Sequence, residues 1–275
     1  VTGLSSTLVV WNPSPSPQTF GYVLYHVVGG FNVPFDTVYG ATFYIDNNFP
    51  SDSAPQMFTV AAIDSCGNIG AIYSPSHHTV FLQATVSHCA GTITLTWNSY
   101  SNWNGGVHQY EIWVDKNFSG MVKVDSTSAT SYVYSNFNSG DTLDIHIEAV
   151  SANGNYISLS NTVELIPDVI HPAHNLYVRN VTVAQQNQVN IYFSVDAQAD
   201  IFGLDLERSD DGINFTKISS IPVPPNFNAI QMATDNTAQT DFRNYYYRIT
   251  STDSCGNKAS SSVAQTILLE GYSFT

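Results

Sequence analysis

The chain has 275 residues, 43% of them hydrophobic, which is enough for the cores of two or three ordinary domains and too many for a disordered spacer. Its charges are few and lopsided, 8 Lys and Arg against 22 Asp and Glu, for a formal net charge of −14. A surface of that sign repels phosphate backbones and anionic lipid, which argues against nucleic-acid and membrane-surface binding, and no apolar run reaches the ~18 residues of a spanning helix.

The predicted elements fall into three repeats. The first opens on a strand at Leu8–Trp11, its preceding strand either missing or held by Val1–Ser5. It runs to Val60-Ala61-Ala62-Ile63-Asp64-Ser65-Cys66-Gly67-Asn68 and an apolar stretch ending at Val80-Phe81-Leu82. The middle repeat predicts strands at Gln83–His88, Thr92–Asn98, His108–Asp115, Met121–Val124, Ser131–Tyr134, Thr142–Val150 and Tyr156–Leu165. Ile93–Trp97 and Leu143–Ile147 alternate with the two-residue period of a half-buried strand. In the third repeat a hairpin is expected around Ser209–Gly212, and Ile249-Thr250-Ser251-Thr252-Asp253-Ser254-Cys255-Gly256-Asn257 returns the first motif, followed by Ile267-Leu268-Leu269. Asn68 to Asn155 is 87 residues and Asn155 to Asn257 is 102, the size of whole small domains. Short strands and Asn-Gly or Gly-Asn turns at this spacing predict an all-β chain of three tandem immunoglobulin-like β-sandwiches over residues 1–83, 84–168 and 169–269, with 270–275 beginning a following segment. The first residues lack the features of a signal peptide, and the last do not resemble a natural end, so the chain reads as a fragment whose export signal lies elsewhere.

The middle repeat resembles a fibronectin type III domain. Trp97 on the second strand, Tyr110 on the third and the run Phe137–Val150 leading into the sixth carry the resemblance. The family usually has a tyrosine where Leu143 stands; Tyr245 falls there in the third repeat and Gln56 in the first, which implies at most one tyrosine corner. The tryptophan recurs as Trp11 and gives way to Phe193. A narrower resemblance is to large secreted proteins of gliding bacteria and their relatives, which carry such modules ahead of a gliding-motility-associated C-terminal sorting domain. Trp11-Asn12-Pro13-Ser14-Pro15, Asp36-Thr37-Val38-Tyr39-Gly40, the Asp64–Asn68 loop and Ile93–Asn98 leading to Gly106–Tyr110 carry it. That resemblance implies an extracellular or bacterial cell-surface setting.

In such a sandwich the loop between the last two strands lies at one end and the loop between the first two at the other. Cys255 sits in the first kind of loop in the third repeat and Cys89 in the second kind in the middle repeat. End-to-end stacking then predicts a Cys89–Cys255 disulfide, with Cys66 seeking a partner outside the chain; three unpaired thiols are the alternative. Such a bridge constrains the unfolded chain by ~4–5 kcal/mol in the loop-entropy model and implies an oxidising compartment.

No catalytic constellation, cofactor or metal site is expected. His77 and His78 are adjacent on a strand and point to opposite faces, so they do not share a ligand. His171 and His174 flank Pro172 at a junction. Asp205, Glu207, Asp210 and Asp211 are the densest carboxylates but lack the ordered oxygen spacing of a calcium loop, and read as a solvated hairpin. Tyr100, Trp103 and Trp113, with Asn98, Asn102 and Asn104 nearby, form a candidate aromatic patch, either a sugar- or peptide-binding surface or a contact between neighbouring modules. The expected function is a non-catalytic spacer and adhesion segment whose partners are a protein or glycan at the cell surface and the neighbouring modules. The alternative is a carbohydrate-binding accessory segment of an exported enzyme.

Overall fold

A computed structural model describes residues 6–49, 51–72 and 75–268. The expected strand at Val1–Ser5, Leu269 and the 270–275 segment lie outside the described residues. The described residues are all-β, in β-sandwiches, with no helix among them. The chain divides into two compact units, Val1–Asp168 and Val169–Thr275.

The first repeat contributes β1 (Thr7–Val10), β2 (Thr19–Val28), β3 (Phe31–Tyr39), β4 (Phe43–Asp46), β5 (Met57–Asp64) and β6 (His77–His78). β1 pairs with β4, and the other sheet has the order β3-β2-β5-β6. Gly29 and Gly30, with φ of 58° and 83°, make the tight hairpin between β2 and β3, a conformation that suits paired glycines. The core here is small, built on Val23, Tyr25 and Ala61.

The middle repeat contributes β7 (Leu82–Ser87), β8 (Thr92–Trp97), β9 (Val107–Lys116), β10 (Val122–Thr127), β11 (Ser131–Tyr134), β12 (Leu143–Ser151), β13 (Ile157–Leu159) and β14 (Val163–Leu165). One sheet has the order β11-β8-β7; the other runs β10-β9-β12-β13, with β14 also on β12. Inward-facing Ile93, Leu95, Ile112, Leu143, Ile145 and Ile147 are 0% exposed, as the alternation predicts. Each fully buried side chain of this kind stabilises by about 1.5–3 kcal/mol. Val80 and Leu82 are buried in this core too, slightly ahead of the expected boundary at residue 83.

The expected strand Tyr156–Leu165 is two strands. Between them the Ser160 hydroxyl accepts the Ile147 N–H (2.9 Å), and the Asn161 side chain bonds both backbone groups of Leu82, at 2.7 and 3.1 Å. Side chains thus replace the ladder and tie the last strand segment to β7 of the other sheet.

The third repeat repeats the plan with β15 (Tyr177–Gln185), β16 (Gln188–Ser194), β17 (Gly203–Ser209), β18 (Thr216–Ile221), β19 (Gln231–Asp235), β20 (Tyr246–Thr252), β21 (Lys258–Ser260) and β22 (Ala264–Gln265). Its sheets are β15-β16-β19 and β18-β17-β20-β21, with β22 also on β20. Ser261 and Ser262 break the last strand as Ser160 and Asn161 do: Ser261 takes the Ile249 N–H, and Ser262 meets Val178. The Tyr245 hydroxyl accepts the Gln239 N–H at 3.3 Å, which places a tyrosine-corner bond in this repeat.

Candidate functional site

The aromatic candidates separate. Tyr100 and Trp103 come together in the loop between β8 and β9, ring centroids 3.9 Å apart, and both pack on the middle core. Trp113 is elsewhere. On β9 the residues Tyr110, Ile112 and Val114 point inward, so Trp113 faces outward, stacked on His146 at 6.2 Å. The three do not make one surface.

Tyr100 is fixed from both sides. Its N–H donates to the Tyr110 hydroxyl (2.9 Å), and its own hydroxyl meets His77 Nδ1 on β6 at 2.8 Å. β6 exists because Met57 and Phe58 of β5 pair with His78 and His77. Burial pushes the Tyr100 hydroxyl up to about 12. Burial, and secondarily His78, lowers His77 below the ordinary histidine value, so the pair is uncharged near neutrality. The bonds around it are short amide and backbone links. Asn98 accepts the Phe81 N–H (2.7 Å) and donates to Thr79 O (3.0 Å), the Asn102 amide donates to Ser76 O, and Asn12 donates to the Tyr156 hydroxyl at 3.1 Å. Of the side chains that read as a ligand patch, Tyr100 and Asn102 therefore bond first-repeat residues, Trp103 packs on the middle core, and Trp113 lies apart. His77 lies on the edge strand of its sheet and is half-buried there. The strand was expected; the Tyr100 hydroxyl that His77 meets, 23 residues away, was not.

The Asp-Ser-Cys-Gly-Asn loops are self-contained turns. Asp64 Oδ1 accepts the N–H groups of Cys66 (2.8 Å) and Asn68 (2.9 Å), and Asp253 accepts those of Cys255 (2.9 Å) and Asn257 (2.8 Å). The Asn68 and Asn257 side chains hold the other oxygens, and these bonds keep both carboxyls below the ordinary aspartate value. Gly67 and Gly256 have φ of 86° and 82°, where a Cβ would be strained. Cys89 and Cys255 are disulfide-bonded, and Cys66 is a free, exposed thiol.

The carboxylates near the β17–β18 hairpin are individually engaged. Asp205 pairs with Lys217 (2.8 Å), Glu207 with Arg248 (2.6 Å) and Asp210 with Arg243 (3.1 Å). Asp211 organises the turn, accepting from Asn214 N (2.8 Å), Ser209 Oγ (2.7 Å) and Ile213 N (2.9 Å), and those bonds hold it well below the usual carboxylate range. Among the described residues no group of three or more His, Cys, Asp or Glu is placed to hold a metal ion. At the junction, Asp200 accepts the His171 N–H (2.8 Å) and Asp196 the His174 N–H (2.6 Å), so both histidines are tied to one loop.

One polar cluster had no signal in the sequence. Asp235, 2% exposed, accepts from Arg208 Nη1 (2.9 Å) and the Tyr247 hydroxyl (2.8 Å), while Thr237 bonds its other oxygen. Burial pushes this carboxyl up, but the Thr237, Tyr247 and Arg208 bonds outweigh it and the net shift is downward. Burial, then the Asp235 charge, raises the Tyr247 hydroxyl far above its ordinary value. The partners are 27 and 12 residues away in sequence.

No helix among the described residues is long and apolar enough to cross a membrane. No family model matches the chain, and no curated protein matches it. Among solved structures, a run of domains from titin aligns with 98% of this chain and 95% of its own length, at 13% identity and a TM-score of 0.42.

Proposed function

We propose that this chain is a non-catalytic spacer and adhesion segment of an exported, cell-surface protein, built from modules at residues 1–83, 84–168 and 169–269. The observation that carries the reading is the fate of Tyr100 and Trp103. Trp103 packs on Tyr100 and the middle core, and the Tyr100 hydroxyl meets His77 of the first repeat, while Asn102 to Ser76 and Asn12 to Tyr156 add bonds between the two repeats. A joint made of hydrogen bonds and stacked rings suits a segment whose task is to hold orientation.

Two features support the exported setting. Cys89 and Cys255 are oxidised while Cys66 is not, and the chain has three cysteines, so we take the two to bond each other and clamp the middle module to the third. Cys66, in the equivalent loop of the first repeat, is then left for a module preceding this one. The phrases shared with secreted proteins of the gliding-motility-associated group point to the same compartment. Partners are a surface protein or glycan together with the neighbouring modules.

Non-reducing peptide mapping, combined with small-angle scattering, tests the reading. The expected result is a peptide joining Cys89 to Cys255, Cys66 open to alkylation, and an extended particle whose scattering broadens on reduction. Free thiols at both positions in oxidatively prepared protein would remove the clamp, and a compact particle indifferent to reduction would remove the spacer.

A further inference from the structure

The third repeat carries an open cleft of ≈ 460 Å³ to which the spacer reading gives no role. Tyr177 and Arg179 of β15 line it, with Asp196 just after β16 and with Asn175 and Asn228.

The strand is built to aim Arg179 there. The β15–β16 register runs Val178 to Phe193 and then Asn180 to Tyr192, so Arg179 is the extra residue of a β-bulge. Bulges kink a strand and redirect the side chain they carry. Arg179 Nε donates to Ser194 Oγ at 3.1 Å, which fixes the plane of the guanidinium.

Its charge is the second observation. Of the eight Lys and Arg residues, six hold a carboxylate: Lys116, Lys123, Lys217, Arg208, Arg243 and Arg248. Arg179, in a chain with 22 acidic residues, forms no ion pair among the described residues. Asp196 lines the same cleft, but its Oδ2 holds the N–H groups of His174 (2.6 Å) and Asn175 (2.9 Å) instead. A guanidinium's fork matches a carboxylate in bidentate fashion, and here it lies open to one from outside.

Two positions before Arg179 on the same strand, Tyr177 lines the cleft and is 53% exposed. We propose that this cleft binds an acidic saccharide. A uronic-acid carboxylate sits on Arg179, the sugar face lies against Tyr177, and a ring hydroxyl meets the Asn228 amide. A peptide adding as a strand is disfavoured because the backbone of Val178 is already engaged: its N–H donates to Ser262 Oγ (3.2 Å), and Ser262 Oγ donates to its carbonyl (3.4 Å).

The site deepens the adhesive half of the function proposed above, whereas the disulfide map and the scattering shape do not depend on it. The test is an amide-shift NMR titration of the full chain with three probes: a galacturonate trisaccharide, its neutral galactose counterpart and triglutamate. The uronate should give saturable shifts at Tyr177, Arg179 and Asn228, with affinity about tenfold or more above the neutral sugar, the order of one charge-assisted contact. Arg179→Gln should abolish that preference, and Tyr177→Leu should weaken both sugars. Both side chains are exposed, and unchanged thermal melts confirm that the variants fold; Arg179→Lys, which keeps the charge and loses the fork, should bind between wild type and Arg179→Gln. Absence of saturable shifts at the cleft, an Arg179→Gln variant that binds the uronate as well as wild type, or triglutamate binding as tightly as the uronate would each overturn the proposal.

Discussion

In the middle repeat, Trp97 lies edge-on to Tyr110 with ring centroids 5.5 Å apart, inside a wall of aliphatic side chains. In the third repeat Phe193 takes the tryptophan's place, and the core's polar feature is Asp235 with Arg208 and Tyr247 around it. The strand orders correspond one for one, and the serine that breaks the last strand recurs. The plan therefore does not depend on what anchors the core. Alternation and turn chemistry set which strands pair, while the anchor, an aromatic pair or a buried ion pair, is free to vary. An aromatic pair stabilises mainly through burial, so its loss should be graded. A buried ion pair is close to break-even when complete and costly when halved.

The largest expected effect separates the two anchors. Asp235→Ala leaves Arg208 without its carboxylate and Tyr247 without an acceptor. Arg208 is 23% exposed, so the loss should lie near the lower end of the ~3–5 kcal/mol typical of halved pairs. Urea unfolding of the isolated Val169–Thr275 unit, or of the whole chain with a probe there, measures it. Replacing the cluster together, Asp235→Leu with Arg208→Met and Tyr247→Phe, should recover most of the loss. If the single variant costs no more than the triple one, the pair is not the anchor.

The same change made in both repeats sharpens the contrast. Tyr247→Phe removes a donor from a buried carboxylate, which should cost about 1.5–3 kcal/mol. Tyr110→Phe leaves only the Tyr100 N–H short of an acceptor, a partly buried group, and should cost about 1 kcal/mol. It should also loosen the Tyr100–His77 contact, visible as altered histidine ring shifts. Equal losses at the two sites would mean that the hydroxyls matter only through packing.

Strand positions were legible because burial imposes a period of two: Ser131–Tyr134 is β11, and the ends of β8, β9 and β12 differ from expectation by a residue. The last strand was misread as continuous because Ser160 and Asn161 are ordinary strand residues until their side chains take over the ladder. The Asp64 and Asp253 turns were legible because Asp, Gly and Asn act locally there. Asp235 was not, since its partners come from other strands, and a lone Asp near a strand end looks like a turn residue. The aromatic patch failed for a related reason: proximity in sequence groups Trp113 with Tyr100, but the parity of β9 turns Trp113 outward while Tyr100, in the preceding loop, packs on the core. The Arg179 cleft rests on a bulge, and a one-residue register slip leaves no trace in composition or period.

The smallest effects concern two aspartates that stabilise their loops by different means, Asp141 in the crossing from β11 to β12 and Asp211 in the β17–β18 hairpin. Asp141 meets Lys116 Nζ at 2.7 Å, the Asn138 N–H at 2.7 Å and the Asn117 amide at 2.8 Å; Lys116 leads in lowering its carboxyl to about 2. Asp211 is lowered by turn hydrogen bonds, with the Asn214 N–H first and no cation among them. Each folded value lies below the unfolded one of about 4, so each contributes stability above that pH, and the contribution is lost as pH falls through the folded value. Salt tells them apart, because about 1 M salt shortens the screening length to ~3 Å and weakens exposed ion pairs, while hydrogen bonds from adjacent backbone are little affected. Carboxyl-carbon NMR titration at low and high salt should show the Asp141 midpoint rising with salt and the Asp211 midpoint holding. Lys116→Met should raise Asp141 in the same direction and remove its salt dependence. A salt-independent Asp141 would mean that the Asn117 and Asn138 hydrogen bonds suffice and that neither loop depends on an ion pair.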